Sequence, residues 1–310
     1  RSYGRLRGLS SKSIILMHKI LALDIGGTKL ATSLVDEQGQ LSNRIQVPTN
    51  VGNGTPHFLY EQVLDLLERC MSLSPNSPTA IGIGCGGPGK QAYELVSPLN
   101  IPNWKDFPLR KKIETDLQLP TFINNDAKAL ALAEGWLGAA QGYENYLAMV
   151  VSTGIGGGIV LNGKLLEGSE GNAGHIGHVY IQPEGGLDAN GVSGLLEGSA
   201  SGSGLERKYG YAPSEAPDEI RIQAGIYVGR AVASVANLLD LQLAVVSGSV
   251  ALGYGTVFFQ AAQKTINELT KIQHSVGTII VPGGLGDKGP LVGAAAVAFQ
   301  GMGKQIIPKK

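Results

Sequence analysis

Near the start of the chain an aspartate closes a short apolar run and is followed by two glycines: Asp24-Ile25-Gly26-Gly27-Thr28-Lys29. A carboxylate beside glycines suits a phosphate and Mg2+ site. Glycine has no Cβ to keep backbone N–H groups away from phosphate oxygens, and a carboxylate holds Mg2+ directly or through water. An ordinary hairpin turn with an aspartate at its edge has the same sequence, and the residues alone do not separate the two readings. Ser152-Thr153-Gly154-Ile155-Gly156-Gly157-Gly158 repeats the pattern in the second half. Two such loops, one per half, would face each other across a cleft.

Asn124-Asn125-Asp126 ends one apolar run and opens an Ala/Leu-rich stretch. Asp is a good helix N-cap, so a structural role is sufficient to account for it. In a cleft the same carboxylate is a general base, able to accept a hydroxyl proton as that oxygen attacks phosphorus. Asn125, both donor and acceptor, suits sugar hydroxyls. His175 and His178 lie three apart in Gly171-Asn172-Ala173-Gly174-His175-Ile176-Gly177-His178. Zinc would need further ligands, and only Glu184 and Asp188 follow, with no cysteine near. Hydrogen bonding to a polar ligand is the better reading.

Two glycine spacings are decoys. Gly84-Cys85-Gly86-Gly87-Pro88-Gly89-Lys90-Gln91 nearly matches a P-loop, but Gln91 lacks the hydroxyl that would hold Mg2+, and Leu165 fails in the same way for 158–165. The first segment also fits a dinucleotide fingerprint, yet Pro88 stands where a helix should open.

Strands and helix starts must hold these residues. Residues 19–25 and 29–35 read as strands around the Gly turn, and 36–39 as a polar turn, giving an antiparallel meander. Residues 57–71 have helical periodicity, with Leu59, Val63, Leu66, Leu67 and Cys70 on one face. Residues 80–85 and 121–124 read as strands, and 126–135 as a helix. The second half opens with a strand over 146–152, a Gly turn over 154–158 and a strand over 159–162. This repeats the first block's order, a weak internal duplication of one α/β unit. Helices follow over 219–239, 257–271 and 291–299, with a strand at 243–247.

Composition narrows the class. The 310 residues suffice for one large domain or two. Glycine, at 45 residues, is about twice its ordinary ~7% share. The glycines lie among Val, Ile, Leu and Ala without a Gly-X-Y period, which fits a compact α/β protein with many turns. Lys+Arg and Asp+Glu are 25 each, which argues against nucleic acid or an anionic membrane as partner. Cys70 and Cys85 are too few for a disulfide framework, so a reduced, cytoplasmic setting is expected. The longest charge-free run, 241–263, is broken at Ser247-Gly248-Ser249 and Gly253-Tyr254-Gly255 and does not read as a membrane span. Residues 1–17 form a basic extension. It reads as sequence upstream of a start at Met17, with an organelle-targeting remnant as the other reading.

Taken together and in this order, the motifs resemble the ROK family of sugar kinases and repressors over about residues 18–300. Residues 24–29 and 153–158 are similar to its two phosphate motifs, and 82–89 to its Gly-x-Gly-x-x-Gly-Pro-Gly segment. Ser97 to Trp104 is similar to its sugar-contacting loop, Asn124 to Glu134 to its catalytic segment, Ala173 to His178 to its Ala-Gly-Glu-x-Gly-His, and Gly283 to Ala296 to its C-terminal stretch. The resemblance implies an α/β, actin-like, ribonuclease-H-like fold: two lobes, each a mixed sheet flanked by helices, around a cleft. The small lobe would cover 18–138 and the large lobe 139–310, with the final helix (about 291–300) packing back toward the small lobe.

The activity so implied is ATP-dependent phosphorylation of a hexose, glucose-type and at O6, with Asp126 as general base. The sugar would be held by Asn100, Asn125, Asp126, His175, His178 and Glu197. The phosphates would be held by Asp24, Gly26, Gly27, Thr28, Lys29, Thr153, Gly154, Gly156, Gly157 and Gly248, with Mg2+ near Asp24. A homodimer or homotetramer is implied, with no nucleic-acid partner, since 17 residues ahead of the kinase-like part are too few for the repressors' helix-turn-helix domain. A catalytically weak sugar sensor, a kinase for mannose, fructose or an N-acetylhexosamine, and polyphosphate as donor stay open.

Two departures stand out. The family's structural zinc site uses the His of its Gly-His and three cysteines. Here His178 is present, but the cysteine positions correspond to Asp188, Asn190 and Leu195, so no structural zinc is expected. The segment 183–200 would then be held by packing and hydrogen bonds, or be mobile. His175 replaces the family's first sugar-binding Glu; a carboxylate accepts two hydroxyl hydrogens, a neutral imidazole accepts one and donates one.

Overall fold

A computed structural model of the chain describes residues 18–50, 55–188 and 190–307; the basic extension 1–17 lies outside them. The strands are β1 (Ile20–Ile25), β2 (Lys29–Val35), β3 (Leu41–Pro48), β4 (Ala80–Cys85), β5 (Gly89–Lys90), β6 (Leu95–Val96), β7 (Thr121–Asn125), β8 (Tyr146–Val151), β9 (Ile155–Leu161), β10 (Lys164–Leu165), β11 (Leu243–Ser247) and β12 (Ile279–Pro282). The helices are α1 (Pro56–Ser72), α2 (Leu109–Leu117), α3 (Asp126–Leu137), α4 (Leu196–Ala200), α5 (Gly202–Tyr209), α6 (Asp218–Leu239), α7 (Ser249–Leu269) and α8 (Gly289–Gly301).

Two five-stranded sheets carry the fold, ordered β3-β2-β1-β4-β7 and β10-β9-β8-β11-β12. In each, the first three strands are an antiparallel meander, and the last two run parallel to the first strand. The duplication read in the sequence is therefore present as topology. The whole is the actin-like, two-lobe arrangement.

Strand alternation builds the layers. In β1 and β4, Leu21, Leu23, Ile25, Ile81, Ile83 and Cys85 point outward and pack with α1 and α2. Ile20, Ala22 and Ala80 point inward, toward α3 and α8. The second sheet mirrors this. Leu147, Met149 and Val151 pack with α6 and α7, while Tyr146 and Ala148 face the central helices. α3 thus has a sheet on either side and is buried from Ala127 through Gly135. That explains its Ala-rich, nearly all-round apolar sequence.

The close fit of helix to sheet accounts for much of the glycine. A Cβ on Gly82 would lie 2.0 Å from the Ala294 carbonyl oxygen of α8. Across the molecule, a Cβ on Gly158 would lie 2.7 Å from Ala131 Cβ of α3. Here the sequence reading needs correction. Gly156, Gly157 and Gly158 are not turn residues; they lie within β9, paired with Val150, Met149 and Ala148. A glycine run reads as a turn by composition, but here it clears space for α3 on one face and for Gly174 and Ile176 on the other. α7 also begins earlier than expected, at Ser249, and is broken at Gly255, whose φ is 60°.

α6 is, among the described residues, the one helix long and apolar enough to cross a membrane. Its Ala224, Val228, Ala231 and Val232 are buried in the core beside Phe258 and Ala262 of α7.

Candidate active site

The cleft between the lobes has a volume of about 700 Å³, within the ordinary range for small-molecule sites. Its floor comes from strand ends of the first sheet. Asp24 ends the inward-facing series of β1, and Asp126 follows β7 directly. Gly84 of β4 is registered with Asp24 on one side and Asn124 on the other. A Cβ there would lie 3.7 Å from Asp126 Cα and 3.9 Å from Asp24 Oδ1. Burial, and next the charge of Asp126, push the Asp24 carboxyl up to about 7, against the pull of Lys29 and Arg44. Asp126 is raised as well. Solvent reaches it through the cleft, but protein walls surround it and desolvation dominates, opposed by the Ala127 N–H and by His175.

The cap of α3 is Asn125, not Asp126. Asn125 Oδ1 accepts the N–H groups of Ala127 and Lys128 at 3.0 and 3.3 Å. The Asp126 side chain is thereby released from capping. It accepts the Ala127 N–H at 2.8 Å and lines the cleft at the first turn of the helix, where the helix dipole favours a carboxylate.

Gly26, Gly27, Thr28 and Lys29 line the same cavity. The Gly26 N–H donates to the Lys29 carbonyl at 3.0 Å, so in this conformation it closes the hairpin rather than pointing at a ligand. Asn100 reaches this turn from the 97–104 loop: a Cβ on Gly27 would lie 2.4 Å from Asn100 Cβ. The expected phosphate and sugar segments of the first lobe therefore touch.

The opposite wall holds Thr153, Gly154, Gly156, Gly157, His175, His178 and Glu197. Glu197 Oε2 accepts the Ile155 N–H at 3.0 Å, tying α4 to the 152–154 turn. Ser203 Oγ donates to the Thr153 carbonyl at 2.7 Å. The rings of His175 and His178 meet edge to face, with centroids 5.9 Å apart. Burial, then the His178 neighbour, push His175 below its ordinary range, which favours a neutral imidazole, one donor and one acceptor. Of the residues expected at the site, Gly248 alone lines neither this cavity nor the adjoining one. Its φ is 102°, and a Cβ would lie 2.3 Å from the Val151 carbonyl oxygen, so it makes the turn into α7.

A second pocket, about 370 Å³, adjoins through Thr153 and is lined by Ser203, Glu206, Pro213, Ser249 and Tyr254 among others. Thr153 belongs to both cavities.

Sequence reasoning missed two residues here. Asn172 lines the cleft and joins the lobes: its Oδ1 accepts the Gly89 N–H at 3.0 Å, and its Nδ2 donates to the Gly89 carbonyl at 2.7 Å. Lys128 is 1% exposed, pairs with Glu167 and donates to the Gly171 carbonyl at 2.8 Å. It thereby fastens the segment that carries His175 to the helix that carries Asp126. The signal was legible: a lysine in an otherwise buried Ala/Leu helix must have a partner.

A family model described as the ROK family matches residues 20–300. The chain is 33% identical to a glucokinase of Halalkalibacterium halodurans, covering 74% of this chain and 80% of the relative. It is 35% identical to an N-acetylmannosamine kinase of Yersinia pestis, covering 83% and 92%. In structure it is similar to a ROK family glucokinase from Streptomyces griseus in complex with glucose and AMPPNP, at TM-score 0.78 and 27% identity, covering 91% of this chain and 99% of that one.

Proposed function

Because this chain belongs to the ROK family, we propose that it is a hexose kinase that transfers the γ-phosphoryl group of ATP to a glucose-type sugar at O6, with Asp126 as general base. The observation that carries this reading is the placement of Asp126. It lies on the floor of a cleft whose walls each carry a glycine-bearing turn, 26–29 with Asn100 on one and 153–157 with His175, His178 and Glu197 on the other.

In this reading Asn100, Asn125, His175, His178 and Glu197 hold the sugar hydroxyls, and the 26–29 and 153–157 segments hold the donor's phosphates. The nucleoside would occupy the adjoining pocket beyond Thr153, a pocket that favours a nucleotide over polyphosphate as donor. Asp126 accepts the hydroxyl proton as the oxygen attacks the γ-phosphorus, the bond to the β-phosphate oxygen breaks, and ADP leaves. The raised basicity of Asp126 suits this step. Positioning and electrostatics supply most of the rate.

The donor set fits Mg2+ carried in by the phosphates. Among the described residues no group of three His, Cys, Asp or Glu could enclose a metal, while Asp24 offers one carboxylate beside the Gly26-Gly27 turn. When bound, Mg2+ neutralises charge on the phosphates. The Asn172–Gly89 hydrogen bonds hold the two lobes together at the cleft's rim and help exclude water.

Purified protein with Mg-ATP, assayed for ADP over glucose, mannose, fructose and N-acetylhexosamines, tests the reading. Turnover greatest with glucose is expected. Tight sugar binding without turnover across the panel would replace the kinase by a sugar sensor.

A further inference from the structure

The family resemblance brings a structural zinc with it, and the donor set here does not fit one. The corresponding positions hold Asp188, Asn190 and Leu195, and both cysteines, Cys70 and Cys85, lie in the core on the outer side of the first sheet. The loop is nonetheless built around a centre. The Asp188 side chain is fully buried. Its Oδ1 accepts the N–H groups of Asn190 and Val192 at 2.9 and 2.8 Å. Its Oδ2 lies 3.5 Å from Asn190 Nδ2 and 3.7 Å from His178 Nε2. The Asp188 backbone closes the same turn, its N–H donating to the Val192 carbonyl at 3.0 Å and its carbonyl accepting the Gly191 N–H at 3.2 Å. The closure continues outward through the pairings of Leu187 with Ser193 and Tyr180 with Leu195.

We infer that Asp188 replaces the metal: it pins the 183–195 loop and is the positioning residue for His178. The two oxygens divide the task. Oδ1 gathers backbone donors from the far side of the turn, as a metal gathers ligands. Oδ2 faces the His178 ring, which lines the cleft together with Asn190. A buried carboxylate would be unfavourable alone, but burial is here outweighed by the N–H donors, which hold the Asp188 carboxyl below its ordinary range. A metal at this centre would have to displace those donors from Oδ1. The loop half of the inference stands apart from the kinase reading; the His178 half rests on it.

Two variants separate the halves. Asp188→Ala removes both oxygens. Asp188→Asn keeps an Oδ1 for the two N–H groups but turns an amide toward His178. Amide hydrogen exchange on the full chain without substrate should show residues 190–195 exchanging at least ~10-fold faster in Asp188→Ala and within about threefold of the parent in Asp188→Asn. A zinc chelator should change neither. Unchanged exchange in Asp188→Ala, or faster exchange of the parent with chelator, would overturn the pin. For His178, Asp188→Asn should raise the sugar KM about fivefold or more while kcat stays within about twofold; an unchanged KM overturns the positioning role. Sugar affinity by calorimetry gives the same comparison without turnover. A parent protein that neither turns over nor binds any sugar sinks the kinase reading and the His178 half with it, while the exchange data still decide the pin.

Discussion

Asp24 and Asp126 reach the cleft floor from strands that are not neighbours, with Gly84 of the intervening strand between them. A larger residue at 84 would build a wall between the two carboxylates. With glycine there, the Asp126 charge adds to burial in raising the Asp24 carboxyl, while Asp126 is itself raised by desolvation within the cleft walls.

This has a measurable consequence in pH. The Asp24 carboxyl is raised from 3.8 to about 7 in the folded protein. Such a group contributes stability that is fully present below its unfolded value and is lost as pH rises through about 7. Asp24→Asn, neutral at every pH, escapes that loss. Thermal melts from about pH 4 to about pH 9 should show the variant's Tm gaining on the parent up to about pH 7 and the gap then holding level; a gap constant across the whole range would contradict the assignment. In turnover the sign reverses, because ionised Asp24 is the form that attracts a cation, so the parent's kcat/KM should rise through about pH 7.

The pair Lys128–Glu167 should respond unequally to loss of its members. Glu167 is half exposed and is rehydrated when Lys128 is removed, whereas Lys128, 1% exposed, would be left with the Gly171 carbonyl. Denaturant unfolding should therefore show a larger loss for Glu167→Ala than for Lys128→Met, with the former on the order of 2–3 kcal/mol. Equal losses would mean that burial of the ammonium does not govern the pair.

His175→Glu places at the cleft wall the carboxylate that the family pattern carries there. A carboxylate accepts two sugar hydroxyl hydrogens where the imidazole accepts one. An added charge-assisted bond is worth about 1.5–3 kcal/mol, so the glucose KM should fall about tenfold or more, with kcat little changed. An unchanged glucose KM would place His175 outside the sugar contacts.

Much of this was legible in the chain. The apolar runs before Asp24 and Asp126 read as strands because strand ends in parallel sheets are short, apolar and closed by glycine or asparagine, and both carboxylates lie where that reading puts them. What local patterns could not show was which glycines serve a ligand and which serve packing. Gly82 and Gly158 clear space for α8 and α3, partners distant in sequence, and nothing in their own neighbourhoods announces it. Asn172 was hidden for the same reason: its partner, Gly89, lies 83 residues away in the other lobe. The Gly26 N–H, expected to face phosphate, closes its own hairpin, a choice set by turn geometry rather than by residue type.

The central claim is that Asp126 takes the sugar proton, and Asp126→Asn tests it most directly. The amide keeps the shape and a hydrogen-bonding oxygen but cannot accept the proton at neutral pH. Measured with Mg-ATP and the best sugar of the panel, kcat should fall at least ~10²-fold while the calorimetric sugar affinity stays within about tenfold. A variant that binds sugar and retains the parent's kcat would show that Asp126 is not the base.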